Sequence, residues 1–135
     1  MMYRCLIANR GEIAVRIIRA CRELNIETVA IYAKGDENSL HVSLADQAIC
    51  IGEANPLDSY LNIDRIISAA KVTESNAIHP GYGFLSESTN FAKAVEDNHI
   101  HFIGPSKTTM EMMGDKITAR QTVKQAGVPV IPCLL

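Results

Sequence analysis

No two cysteines in this chain are spaced as a CxxC pair: Cys5, Cys21, Cys50 and Cys133 stand well apart. Three of them fall inside apolar segments, where a free cysteine behaves as a small buried hydrophobe. That usage implies a reduced, cytoplasmic protein. The chain also lacks an excess of either charge. Thirteen basic residues face fifteen acidic ones, and the basic residues are scattered rather than gathered in a stripe. Binding of nucleic acid or of an anionic membrane through bulk electrostatics is thereby excluded. No apolar run approaches the length needed to cross a bilayer. The amino-terminal stretch passes from Cys5-Leu6-Ile7-Ala8 straight into Asn9-Arg10-Gly11-Glu12, leaving no apolar core of signal-peptide length. Low-complexity tracts and internal repeats are absent too.

What is present is a chain of 135 residues, 47% of them hydrophobic. A chain of that size buries about two-thirds of its unfolded surface and folds alone. Short apolar runs at Cys5–Ala8, Thr28–Tyr32, Ala48–Ile51, Ala77–His79 and His101–Ile103 read as strands. Helical patterns lie between and after them, at about Glu12–Leu24, Ile63–Lys71, Thr89–Asn98, Lys107–Met113 and Lys116–Gln125. In the first helix Ile13, Ile17, Cys21 and Leu24 fall on one stripe, with Ala14 and Ile18 beside it. Repeated β-α units predict an α/β fold, a Rossmann-like, mostly parallel sheet covered on both faces. The polar stretch Lys34–His41 reads as one long surface loop, and Gly127–Pro132 as a final short strand.

The densest motif is His79-Pro80-Gly81-Tyr82-Gly83-Phe84-Leu85-Ser86-Glu87. Two glycines flank a tyrosine directly after a strand and before a helix. In open α/β sheets ligands bind at the carboxyl ends of the strands, so the loop is either a ligand-facing turn or a plain tight connection. The turn after the first strand, Asn9-Arg10-Gly11-Glu12, has one glycine and no GxGxxG, which removes most of the support for a dinucleotide site. Its helix amino end could still attract an anion. Glu12, Arg16, Arg19 and Glu23 share one helix face at i,i+4 spacing. They form either a solvated face or a self-complementary surface at a two-fold interface. His99 and His101 would point to one side of a strand, but no third metal ligand lies near them. Met110, Met112 and Met113 read as core filler. In Met113-Gly114-Asp115-Lys116, Gly114 ends one helix and Asp115 caps the next. Lys116 then sits in a first turn, where the helix dipole disfavours a cation by roughly 0.3 to 1 kcal/mol. Such a break in a local rule marks either a phosphate-binding position or a lysine neutralised by Asp115.

Taken in order, Ile7–Ala14, Ser59-Tyr60-Leu61-Asn62, His79–Glu87, Phe102-Ile103-Gly104-Pro105 and Met113–Lys116 resemble the amino-terminal domain of biotin carboxylases. The bacterial acetyl-CoA carboxylase component is the first choice within that family, beside the corresponding regions of pyruvate and propionyl-CoA carboxylases. The resemblance implies a chemistry in which Mg-ATP and bicarbonate carboxylate biotin held on a biotin carboxyl carrier protein, with a carboxyltransferase in the parent complex. It implies an ATP contact for Lys116 and places Tyr82 and Gly83 on the biotin and bicarbonate side. It implies no catalytic residue and no metal ligand within this chain, because family members continue for several hundred residues that supply them. On that basis residues 1–115 form the amino-terminal domain, and residues 116–135 begin the connection to an ATP-grasp domain.

The sequence departs from the family pattern at its end, where Cys133-Leu134-Leu135 replaces a Gly-Ser segment, as in a truncation or a shifted reading frame. Gln47 and Ser88 are smaller departures, both read as turn or capping positions that accept polar substitutes. Three roles are thereby open. The chain is an enzyme fragment inactive by itself, an association module acting through Glu12, Arg16, Arg19 and Glu23, or a weak nucleotide-binding domain. For the last, an apolar patch near Met110, Met113 and the final strand would drive dimerisation.

Overall fold

The computed structural model of the chain describes residues 3–104. Five strands form one parallel sheet in the order β3-β2-β1-β4-β5. They are β1 (Arg4–Ile7), β2 (Glu27–Ala33), β3 (Gln47–Gly52), β4 (Ala77–His79) and β5 (His101–Phe102). Four helices join them: α1 (Gly11–Glu23), α2 (Leu40–Leu44), α3 (Ile63–Val72) and α4 (Thr89–Asp97). The Rossmann-like expectation holds, and each of the five anticipated strands is found within a residue or so of its expected bounds.

The chain direction decides which face each helix covers. From β1 it moves by α1 to β2, on one side of β1, and then to β3; α3 brings it back across the sheet to β4, on the other side. Crossovers in parallel sheets are right-handed, so reversing direction puts α3 and α4 on the face opposite α1. Strand side chains alternate accordingly. Cys5 and Ile7 of β1 and Ala77 of β4 pack with Ala14, Ile17, Ile18 and Cys21 of α1. Leu6 and Ile78, fully buried, point the other way. From Cys5 to Ile7 the strand is thus apolar at every position, as expected when both faces are covered.

Helix starts follow capping chemistry. The Asn62 side chain accepts from the Arg65 amide at 3.1 Å at the start of α3, and the Ser88 hydroxyl accepts from the Phe91 amide at 3.1 Å at the start of α4. Each satisfies an amide that the helix itself leaves without a partner. Ser88 is therefore a capping position, as expected.

Four expectations need correction. Gln47 is no turn residue: it opens β3 and donates through Nε2 to Glu27 Oε1 at 3.1 Å. The surface loop expected over Lys34–His41 is interrupted, because α2 begins at Leu40 and His41 is buried, its Nε2 3.0 Å from the Ile31 carbonyl. Cys50 is exposed on β3, unlike Cys5 and Cys21, since β3 is an edge strand with solvent on its outer side. His99 is not in a strand; it has φ 60 in the turn after α4, so it cannot alternate with His101 on β5. The segments expected as helices at Lys107–Met113 and Lys116–Gln125, the Met110, Met112, Met113 cluster, Gly114, Asp115, the strand at Gly127–Pro132 and Cys133 lie outside the described residues.

Candidate functional site

β1 and β4 are adjacent, yet the chain leaves them toward opposite faces of the sheet. Such a switch point opens a crevice at the carboxyl ends of its two strands. Here the loops meeting at that crevice are Asn9-Arg10-Gly11 after β1 and His79–Glu87 after β4.

One side chain ties them together. Asn9 is 3% exposed, and its amide nitrogen donates to the carbonyls of Pro80 at 2.9 Å and Tyr82 at 2.6 Å. Its Oδ1 accepts from the Arg10 amide at 2.8 Å. Both hydrogens and the oxygen of the carboxamide are thus committed, which removes the cost of burying it. Glycine is required opposite: a Cβ at Gly81 would stand 2.7 Å from Asn9 Nδ2, and Gly81 has φ +68. His79 completes the inner anchor, because its Nδ1 accepts from the Gly81 amide at 3.0 Å.

The outer side of the loop is held by an aromatic clamp. Tyr60, fully buried, donates through its hydroxyl to Asp36 Oδ2 at 2.7 Å and accepts from the Ala33 amide at 3.0 Å. Burial first, and the adjacent Asp36 carboxylate second, push its phenol well above the ordinary range. Phe84 stacks on the Tyr60 ring with centroids 5.3 Å apart, despite a backbone φ of 42 that a bulky residue adopts only when its surroundings hold it. Arg10 lies 5.5 Å from the same ring centroid and pairs with Asp36 at 3.2 Å, a cation-π contact reinforced by charge. Between these anchors Tyr82 and Gly83 form the crest of the loop. Tyr82 is 65% exposed, and nothing lies within 4 Å of where a Gly83 Cβ would be. A ligand can therefore approach the bare backbone of Gly83 and the Tyr82 ring from solvent.

Two of the three expected site residues, Tyr82 and Gly83, are thus adjacent on an exposed crest; Lys116 lies outside the described residues. Sequence reasoning assigned no role to Asn9, Arg10, Asp36 or Tyr60. Only the Asn-Arg pair directly after β1 hinted at one, since polar side chains at a strand's carboxyl end sit where the crevice forms. Among the described residues no group of three His, Cys, Asp or Glu converges on a metal position. Two surface depressions of about 400 Å³ lie away from the loop, one between β3 and α3 and one between α1 and α2.

His79 makes the inner anchor sensitive to acid. Burial holds its imidazole below the usual histidine value, and a proton on Nδ1 would displace the Gly81 amide. A depressed pKa means that this residue's contribution to stability is complete above the unfolded value of about 6.5 and is lost as pH falls through the folded value. A proton NMR titration should give a His79 midpoint below that of an exposed histidine, with the Gly81 amide shifting in parallel. A normal midpoint, or a Gly81 amide indifferent to it, contradicts this arrangement.

The geometry describes a doubly wound α/β domain with an exposed glycine loop anchored at its switch point. The family model for the biotin carboxylase N-terminal domain matches residues 1–110, and the chain belongs to that family. It is 58% identical over 132 residues to biotin carboxylase 1 of Bacillus subtilis, covering 98% of this chain and 29% of that protein. Pyruvate carboxylase of the same organism is 54% identical over 130 residues, which is 96% of this chain and 11% of the relative. Among solved structures, the biotin carboxylase domain of Hydrogenobacter thermophilus 2-oxoglutarate carboxylase, a dimer with MgADP, ADP and bicarbonate, superposes with a TM-score of 0.89 at 52% identity. It covers 98% of this chain and 29% of that one. The chain therefore spans less than a third of the biotin carboxylases it matches.

Proposed function

We propose that this chain is the amino-terminal part of a biotin carboxylase, and that its role is to present one wall of the site in which Mg-ATP and bicarbonate carboxylate biotin on a carrier protein. The observation that carries this reading is the doubly anchored loop at the switch point, with Tyr82 and Gly83 facing outward, in a chain of this family. Tyr82 and Gly83 would border biotin or bicarbonate, since an open glycine backbone offers amides to an anion and the tyrosine ring offers a flat apolar contact. Lys116 would meet the phosphates of ATP. Residues 1–115 would make up the domain and residues 116–135 the connection onward.

ATP supplies the activating phosphoryl group and magnesium its counter-charge; this chain contributes binding and orientation. The parent activity we favour is the biotin carboxylase component of bacterial acetyl-CoA carboxylase in the cytoplasm, the first step toward fatty acids, working with a biotin carboxyl carrier protein and a carboxyltransferase. Support for the cofactors comes from the relative whose structure holds MgADP and bicarbonate. Among the described residues no helix is long and apolar enough to cross a membrane.

The purified chain alone should show no biotin carboxylation, and robust turnover by a verified 135-residue preparation would overturn that. Calorimetric titration with Mg-ATP, comparing the chain with Lys116→Ala, tests the nucleotide contact. Weak binding abolished by the substitution supports it, whereas binding indifferent to Lys116 removes that residue from the site.

Self-association is a second reading, favoured by one observation. Glu12, Arg16, Arg19 and Glu23 are all exposed on α1. The ion pairs found among the described residues, such as Arg4–Glu27 and Lys93–Asp97, involve none of them. Four charges of both signs at helical spacing suit a two-fold contact. Sedimentation of Arg19→Glu against the parent chain decides: a dimer lost on charge reversal supports the contact, and unchanged association leaves the face merely solvated.

A further inference from the structure

Two nucleophilic side chains inside this domain serve neither the loop nor the charged helix face. Cys5 lies in the middle of the central strand, opposite Thr28 on one side and Ala77 on the other. Cys21 lies in the last turn of α1, directly over that strand. Both belong to one core cluster, fully buried in the case of Cys5 and 7% exposed for Cys21. A strand and the helix packed on it have thus placed two thiols together in the apolar layer. By contrast, Cys50 is exposed on the edge strand β3.

We propose that Cys5 and Cys21 form a modification site, at which an oxidant of the peroxide class converts the two thiols into an intrachain disulfide that ties the last turn of α1 to the central strand. The step balances. Cys21, the less deeply buried of the two, attacks one peroxide oxygen as its thiolate; the O–O bond breaks, water leaves, and Cys21 becomes a sulfenic acid. Cys5 then gives up its proton and attacks the Cys21 sulfur, expelling the second water as the S–S bond forms. Two thiols lose two electrons in all, and one peroxide gains them.

The environment assigns these roles. Contact with the Cys5 thiol favours the Cys21 thiolate and lowers its pKa. The same contact, with burial after it, raises that of Cys5. Cys21, the less buried of the two, is the sulfur an oxidant reaches first, and Cys5, fully enclosed, is the one that resolves. The last turn of α1 ends at Leu24, which is largely exposed, and the chain turns through Asn25 at φ 59, so the helix is not continued beyond the cysteine's own turn.

Trypsin provides a direct test, because Arg4, Arg10, Arg19 and Arg22 place the two cysteines on separate short peptides, Cys5–Arg10 and Ala20–Arg22. The 135-residue chain, carrying Cys50→Ser and Cys133→Ser to suppress intermolecular bridges, is reduced, freed of reductant and exposed to hydrogen peroxide while circular dichroism is followed. The expected result is a non-reducing digest containing the two peptides joined, with native dichroism, reversed by reductant and absent from Cys21→Ala and Cys5→Ala. The oxidised chain should also melt higher by on the order of 10 °C, since the bridge closes a loop of moderate length. Both peptides recovered unlinked, or linked only after the dichroism of the native fold is lost, overturns the proposal. A linked pair in native protein stands whether or not either alanine variant folds.

Discussion

Asn9→Asp should lower the stability of this domain by about 3 kcal/mol or more at neutral pH, although it exchanges one nitrogen for one oxygen. The Asn9 amide now donates to two carbonyls at 2.9 and 2.6 Å in a site closed to water. A carboxylate there would set an anionic oxygen against both, with no solvent to relieve it. The Arg10 amide contact on the other oxygen survives, so the variant isolates the donor function. Burial and the facing carbonyls raise the folded-state pKa of the introduced carboxyl above its unfolded value of about 3.9. The part of the penalty due to charge is therefore absent below the unfolded value, leaving only the loss of one of the two donors, and grows as pH rises toward the folded one. Urea unfolding of parent and variant between pH 4 and 8 checks the pattern. A deficit that does not shrink toward the acid end, or no deficit at all, removes Asn9 from its assigned place. Tyr82 should also become more accessible in the variant, because its own carbonyl loses its partner.

Gly52→Ala should be comparably damaging for a steric reason. A Cβ at that position would stand 2.0 Å from the backbone oxygen of Asp58 and 3.0 Å from its carbonyl carbon. Neither is the end of a flexible side chain, so backbone must move. The cost is about 3 kcal/mol, a large part of the stability of a domain this small. The midpoint of thermal unfolding should fall by on the order of 10 °C. The disturbance reaches the site as well. Asp58 closes a short 3-10 turn at Pro56–Asp58, and two residues later Tyr60 carries the clamp that supports Phe84. Gly83→Ala is the matched control: its φ is +69 but nothing lies within 4 Å, so it should cost only about 1 kcal/mol of backbone strain. Equal losses from the two substitutions would show that the Asp58 approach is not what Gly52 accommodates.

How legible these features were in the sequence depended on their range along the chain. The strands and the long helices α1, α3 and α4 were readable because each repeats its apolar pattern over several residues, and both faces of the sheet are covered. Five-residue α2 has no room for a helical period, and the burial of His41 was not legible because its Nε2 meets the Ile31 carbonyl ten residues earlier, on another element. The glycine loop announced itself through Gly81, Tyr82 and Gly83. Its anchors did not. Asn9 reaches partners 71 and 73 residues away, and Tyr60 meets Asp36 across 24, separations over which composition and spacing carry no signal. Gln47 and Cys50 were misplaced for a related reason, since which strand becomes the sheet edge is settled by topology rather than by local pattern.

The position of β1 also governs the order in which the domain can assemble. The strand met first along the chain is the middle of the sheet, and its two neighbours arrive at very different times. β2 begins at Glu27, shortly after α1, whereas the partner on the other side is reached only when Asn76 accepts the Arg4 amide, 72 residues downstream. During synthesis β1 and β2 can pair early by a local crossover, while the far edge of β1 stays open until β4 emerges. Contacts of such long separation slow folding and leave an apolar strand edge exposed meanwhile. The step that seats β4 is also the step that brings Pro80 and Tyr82 to Asn9, so the glycine loop and the centre of the sheet are completed together.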